Sequence, residues 1–316
     1  MYSLRVKIKG LISLPVIALV ALFGVPISTL AQSILQSSDG FTLLGNTAIT
    51  STGPTVITGG NVGLSPTATS SITGFLVTDG GQAVITPPGG VIATGAVTQQ
   101  AMTDLMTVAS DLNRMTTKRN LTGLDLGGLV LTPGVYTFDG TAAQLADTTL
   151  TLDAKGQNDA YWVFNISTTL TTDANANVTV SNLGSNLGAD DGIYWNVGAA
   201  VSIGADNLMA GNYLAGTSIT IGSTTTGNSR VMAEVGAITL DSDNIISNGG
   251  PGGNSWDSGL MYHLGSISPI PEPGAFLWLV PLGALGLAFW HRRSLAKIGL
   301  RKASKSHRRK VYIYGA

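Results

Sequence analysis

Between residues 32 and 268 the apolar positions come in short runs of Val, Ile or Leu that alternate with Thr and Ser, and Gly, Asn and Asp punctuate them. Period-two alternation bounded by turn residues predicts many short β-strands. One stretch departs from this. Val97, Ala101, Leu105, Val108, Leu112 and Met115 step by 4, 4, 3, 4 and 3 residues. That spacing predicts one amphipathic helix, placed at about 96–118, whose apolar stripe packs on something flat.

The short strands repeat. Thr149-Leu150-Thr151-Leu152, Thr169-Leu170-Thr171-Thr172, Ala200-Val201-Ser202-Ile203, Ser218-Ile219-Thr220-Ile221 and Ala237-Ile238-Thr239-Leu240 align on a central apolar residue, with centres 20, 31, 18 and 19 residues apart. Thr47-Ala48-Ile49-Thr50 reads as an earlier copy. A period near 19 suits one coil of a three-sided β-solenoid, and the step of 31 holds an insertion. Side chains alternate across a strand, so the central apolar residue points inward and Thr151, Thr171, Ser202, Thr220 and Thr239 form an outward ladder with rungs about 4.8 Å apart. Thr is also a favoured, soluble filler for outward strand positions, so composition alone assigns the ladder no ligand.

The two ends differ from this centre. Residues 1–31 combine basic Arg5, Lys7 and Lys9, an apolar run from Leu11 to Val25 and Thr29-Leu30-Ala31, the pattern of a signal peptide cleaved after Ala31; an uncleaved anchor helix is the alternative. At the other end, Pro271-Glu272-Pro273 precedes a nearly uncharged stretch from 274 to 290, followed by His291-Arg292-Arg293. Seventeen residues of helix span roughly 25 Å, enough for a bacterial inner membrane, and the basic cluster fits a cytoplasmic stop. This order resembles the PEP-CTERM sorting signal of Gram-negative bacteria, which implies recognition of Pro271, Glu272, Pro273, Arg292 and Arg293 by an exosortase-type transpeptidase. The tail runs on to Ala316, longer than such signals usually are, and a plain single-pass anchor is the alternative. The expected layout is a signal peptide at 1–31, a solenoid at 32–248, a Gly/Ser/Pro linker at 249–270 and a sorting tail at 271–316. Both readings of each end place the centre outside the cytoplasmic membrane.

Charge narrows the function classes. Only five Lys or Arg lie between 32 and 268, against seventeen Asp or Glu, so nucleic-acid binding by this region is excluded as an expectation. There is no cysteine, which removes thiol chemistry and disulfide scaffolds. His263 is the one central histidine and supports no Ser/His/Asp constellation. The acidic pairs Asp190-Asp191 and Asp241/Asp243 sit in turn-rich contexts. Asp241-Ser242-Asp243-Asn244 lacks the Gly and terminal Glu of an EF-hand loop. Neither enzyme chemistry nor a cofactor nor a metal is expected.

Leu44-Gly45-Asn46-Thr47-Ala48-Ile49-Thr50, Gly60-Asn61-Val62-Gly63-Leu64-Ser65-Pro66, the helix, Leu131-Thr132-Pro133-Gly134-Val135-Tyr136, Ala160-Tyr161-Trp162-Val163-Phe164 and Gly211-Asn212-Tyr213-Leu214-Ala215 occur in one order. In that order they resemble the ice-binding protein family of bacteria, fungi and microalgae, over about residues 40–248. Ser229 stands before Arg230 where the family usually has Gly. The resemblance implies an all-β fold, a right-handed discontinuous β-solenoid with three faces and one long α-helix alongside. It also implies one flat face that binds ice, in some members through a Thr-Ala/Gly-x-Thr/Asn motif. Thr47-Ala48-Ile49-Thr50 fits that motif, and Thr217-Ser218-Ile219-Thr220 fits except at Ser218. The implied ice-facing set is Thr47, Thr50, Thr151, Thr171, Ser202, Thr217, Thr220 and Thr239. Two functions stay open: ice binding at the cell surface or in its matrix, and a structural or adhesive role in an exopolysaccharide matrix on the same scaffold.

Overall fold

The computed structural model describes residues 33–86, 90, 92–249, 255–263 and 266–270. The expected signal peptide, the Pro271-Glu272-Pro273 motif, the apolar stretch 274–290 and Arg292-Arg293 lie outside the described residues.

The strands are short and, in the body of the fold, pair in parallel. Seven form one sheet in the order Ala143–Leu145, Leu170–Thr172, Val201–Ile203, Ile219–Ile221, Ile238–Leu240, Ile49–Ser51 and Ile72–Thr73. Fifteen others form a second sheet with two branches. The eight-residue strands Leu208–Ala215 and Thr226–Ala233 join the branches, because each contributes its first residues to one branch and its last to the other. One branch carries the long helix and the other is open. Parallel neighbours need a long connection between them, and here each connection is the rest of a coil rather than a crossover helix. The expected all-β, solenoid-like stack with a helix alongside is what these sheets make.

Chain order and stacking order disagree. Ile49–Ser51 pairs with Ile238–Leu240 on one side and with Ile72–Thr73 on the other. Phe41–Gly45 likewise lies beside Thr226–Ala233, and Thr55–Thr58 beside Asn244–Ser247. The first coils of the chain are therefore stacked beyond the last ones.

The core follows from alternation. Leu170, Val201, Ile219, Ile238 and Ile49 are each at most 1% exposed and stack rung upon rung beneath the seven-stranded sheet. Burying each aliphatic side chain stabilises the fold by about 1.5–3 kcal/mol. Under the helix-side branch the register places Tyr136, Phe164, Trp195 and Tyr213 in consecutive rungs, and their rings stack at centroid distances of 5.6, 4.1 and 5.6 Å. The Trp162 indole donates to the Leu131 carbonyl and the Trp195 indole to the Ala210 carbonyl, each at 3.0 Å, so neither buried N–H is left unpaired.

The outward positions of that branch, Leu44, Val135, Val163, Tyr194, Leu214 and Met232, form a second apolar layer with the helix. The helix runs Ala96–Leu112 and buries Ala101, Leu105, Val108 and Leu112 as its spacing predicts. Val97 is 63% exposed, against expectation, and Thr98 takes the inward place. Counting back two turns from Leu105 at 3.6 residues per turn reaches 98 rather than 97. Met115 lies past the end of the helix and packs against this layer from there. At the helix C-terminus, Asn165 Nδ2 donates to the Leu112 carbonyl at 2.8 Å and Asn196 Nδ2 to the Ala109 carbonyl at 2.9 Å, in addition to the backbone bonds these carbonyls accept from the Met115 and Asn113 amides.

The segment expected to be a linker at 249–270 is folded from Ser255 onward. Trp256 is 9% exposed and belongs to the main core, and Leu260–His263 pairs antiparallel with Ser266–Pro269. Leu260 and Ile267 join the helix layer. The composition that suggested a linker holds only for the Gly/Pro run, whereas Trp256, Leu260 and Ile267 supply enough apolar surface to dock the rest.

Candidate functional site

On the seven-stranded sheet each strand has three residues or fewer, with inward neighbours flanking one outward residue. The pairings align those outward residues in one row: Gln144, Thr171, Ser202, Thr220, Thr239, Thr50 and Thr73. Seven rungs at about 4.8 Å give a row roughly 29 Å long. Thr171, Ser202 and Thr220 are exposed, and Thr239 and Thr50 are half-buried. Thr73 Oγ1 donates to Thr50 Oγ1 at 3.2 Å, so the hydroxyls at that end tie neighbouring rungs together.

Five of the eight residues expected at the site, Thr50, Thr171, Ser202, Thr220 and Thr239, thus fall in one row. Thr47 and Thr217 stand in a second row, three residues earlier in their coils, where the backbone turns into the strand. There the Thr217 amide donates to the Ala199 carbonyl at 3.1 Å and the Thr47 amide to the Gly236 carbonyl at 3.2 Å. A Cβ on Gly236 would stand 2.5 Å from the Thr217 carbonyl oxygen, so this rung accepts no side chain and the row has a notch between Thr217 and Thr47. Both threonines are exposed.

Thr151 is a correction. It lies on Thr149–Asp153 in the other sheet, opposite Thr179 and Val130, and has no place in the ladder. Its coil reaches the ladder sheet a few residues earlier, through Ala143–Leu145, and turns at Ala146 to Thr148 before the next strand. The Thr-Leu-Thr-Leu alternation marks a strand with one outward face, and two sides of a coil share that pattern. Sequence reasoning also missed the end rungs. Thr73 was recoverable, because Ser71-Ile72-Thr73 repeats Ala48-Ile49-Thr50; Gln144 breaks the Thr/Ser rule and gave no such signal.

None of the seven residues in the outward row is charged, but Asp125, exposed and bridged in parallel to Gln144, puts a carboxylate at that end of the row. Other carboxylates on the same coils sit in turns and are held by hydrogen bonds there. Asp241 Oδ1 accepts from Thr52 Oγ1 and from the Ser242 amide, both at 2.9 Å, and Thr224 Oγ1 donates to Asp206 Oδ1. The Asp241-Ser242-Asp243-Asn244 stretch is thereby tied up as a solenoid corner.

The charged groups that are buried lie elsewhere and act as fasteners. Arg230, 3% exposed, pairs with Asp39 and, at 2.7 Å, with Asp257, and its Nη1 also donates to Asn212 Oδ1 at 3.0 Å. One guanidinium thus clips the turn before the first strand and the C-terminal segment to the same coil. Burial raises Asp39 to about 6 although Arg230 opposes it. At Asp257 burial pushes upward too, but Arg230 and the hydrogen bonds from Asp39 and Ser255 outweigh it and hold the carboxyl below its usual range. Two carboxylates share one cation, so the less favoured keeps a proton more readily. Asp191 is 1% exposed and is raised to about 6, chiefly by burial; its Oδ1 accepts from the Ala160 amide at 2.9 Å and its Oδ2 has no hydrogen-bond partner.

Comparisons with known proteins agree with this architecture. The sequence profile described as Ice-binding-like matches residues 43–246. The chain is 34% identical over 273 residues to an ice-binding protein of Nostoc sp. (strain HG1), covering 84% of this chain and 88% of that one. Among solved structures, an ice-binding protein from the Antarctic ascomycete Antarctomyces psychrotrophicus superposes with a TM-score of 0.59 at 29% identity, over 67% of this chain and 96% of that chain. An ice-binding protein from an Antarctic biological consortium gives the same TM-score, 0.59, at 31% identity, over 71% of this chain and 95% of that chain. With its coils, its helix and its profile match in agreement, the chain belongs to the ice-binding-like protein family.

Proposed function

We propose that this protein binds ice through its seven-stranded sheet. The observation that carries the reading is the register of the row Thr171, Ser202, Thr220, Thr239, Thr50 and Thr73, an uncharged file of hydroxyls held by paired backbone. Each contact with a water layer is weak, but a rigid row contributes many at once and loses little side-chain freedom on adsorption. Thr suits the task because its β-branched side chain is stiff and presents a methyl beside its hydroxyl. Thr47 and Thr217 widen the row at its edge. The winding of the coils is assigned as right-handed and three-faced. The protein is exported after cleavage at Ala31, and the tail from Pro271 to Arg293 is a sorting signal read by an exosortase-type enzyme at the inner membrane, which leaves the solenoid at the cell surface or in its matrix.

The test is ice shaping and recrystallisation inhibition with the purified chain and its Thr220→Tyr variant. Thr220 is exposed at the middle of the row, so the ring lifts the sheet off a lattice plane without entering the core. Wild-type protein is expected to shape crystals and the variant to lose that effect with an unchanged melting temperature. Equal activity of the two refutes the ladder as the site. A folded wild type without any effect on ice shifts the assignment to an adhesive matrix protein.

A further inference from the structure

The open branch of the larger sheet presents a second ordered surface. Across five neighbouring strands the register aligns Leu208, Thr226, Ile245, Val56 and Val84 in one row. Two residues further along the same strands, Asn228, Ser247, Thr58 and Thr86 form a second row. The inward positions between the rows on two of these strands, Ile246 and Ile57, are fully buried, which fixes both rows as outward. Leu208, Ile245 and Val84 are 41%, 52% and 37% exposed. Thr58 and Thr86 are joined through their hydroxyls at 2.7 Å. Neither row contains a charged residue.

An exposed aliphatic row on a soluble face calls for a partner. Four steps of about 4.8 Å and two rows about 6.7 Å apart make a patch on the order of 130 Å². That falls well short of the roughly 800 Å² per partner of a stable protein interface, so a second copy does not account for it. The patch shares its physical character with the ladder: in-register rungs, no charge, stiff branched methyls next to hydroxyls. The two surfaces belong to the same coils, since the strands Ile238–Leu240 and Asn244–Ser247 follow one another around a single corner. The ordered surface ends at a groove of about 240 Å³, lined by Val178, Thr179, Met209, Ala210 and Trp256, where Thr149–Asp153 and its neighbours part from the rest of the branch.

We propose that the surface built on Leu208, Thr226, Ile245, Val56 and Val84 is a second ice-adsorbing face, engaging a crystal plane different from the one the ladder engages. The proposal rests on the ice-binding reading of the family fold. A protein with two such faces, set at an angle by the corner between them, adsorbs to a crystal in two orientations and is held by steps where two planes meet.

The experiment is adsorption of the labelled full chain to a single-crystal ice hemisphere, with Thr220→Tyr, Ile245→Lys and the combined variant, each checked for an unchanged melting curve. Wild type is expected to label two sets of planes. Ile245→Lys should lose one set and Thr220→Tyr the other, and the combined variant both. Val84→Lys, at the end of the same row, should repeat the Ile245→Lys pattern and guards against a folding defect at one site. If Ile245→Lys and Val84→Lys label as wild type does while Thr220→Tyr labels nothing, the second face is overturned and the ladder stands. If the lysine variants remove all labelling and Thr220→Tyr none, the ladder is overturned and this face is the sole site. A wild type that labels no plane overturns both. A concentration-dependent dimer that Ile245→Lys dissociates also overturns the proposal, because a second copy then covers the patch.

Discussion

The ladder sheet and the helix-side branch are built on the same coils by the same alternation, yet they spend their outward residues differently. On the helix side the outward positions are Leu44, Val135, Val163, Tyr194, Leu214 and Met232, and a helix covers them. On the ladder side they are hydroxyl-bearing except at Gln144, and nothing among the described residues covers them. Inside, both surfaces rest on one continuous apolar core. Stability and surface activity are therefore separable in this fold. The core and the helix hold the sheet rigid, and the exposed row is free to be chosen for what it meets.

Substitutions should break this division of labour if it is wrong. The largest effect on stability is expected at Trp195, 1% exposed in the middle of the ring stack; Trp195→Ala should cost about 3–5 kcal/mol, read as a lower denaturation midpoint. Ice activity should vanish only in step with unfolding. Thr220→Tyr should do the reverse, losing activity with a stability change within about 0.5 kcal/mol.

A smaller effect concerns acidity. Asp191 and Asp39 take up protons more readily folded than unfolded, since burial raises each to about 6. A carboxyl raised on folding is bound to more protons in the native state between its two pKa values, so stability falls as pH rises through that window. The melting temperature should be higher at pH 5 than at pH 7 by a few degrees, and Asp191→Asn should flatten the profile. A melting temperature that climbs steadily from pH 5 to 7 contradicts the assignment.

The smallest effect sharpens the boundary of the site. Thr151→Tyr lies on the other sheet and is expected to leave crystal shaping unchanged within error, whereas a copy of the ladder at that position would have lost it.

Much of this was legible in the residues, for a physical reason. Alternation reports which side of a strand is wet, so Ile49, Leu170, Val201, Ile219 and Ile238 were identifiable as core and their neighbours as a ladder. Helical spacing located the buried stripe from Ala101 to Leu112. Alternation does not report which side of a coil a strand occupies, and Thr151 was misplaced for that reason. Composition likewise hid the docking of Trp256, Leu260 and Ile267 behind the glycines that precede them. The Arg230 clip was illegible because its partners, Asp39 and Asp257, lie 191 and 27 residues away in sequence.

The stacking of the first coils beyond the last has a temporal side. Ile49 has its partner Ile238 on one flank and Ile72 on the other, so the run from Ala143 through Leu240 reaches Thr50 and Thr73 only once the strand at 238 exists. Residues 41–86 emerge about 150–200 residues ahead of it, from the ribosome or from the export channel, and wait for it. During that wait they expose one unpaired edge. The long row therefore closes late and all at once, and a chain cut short before Ile238 keeps two separate fragments of it.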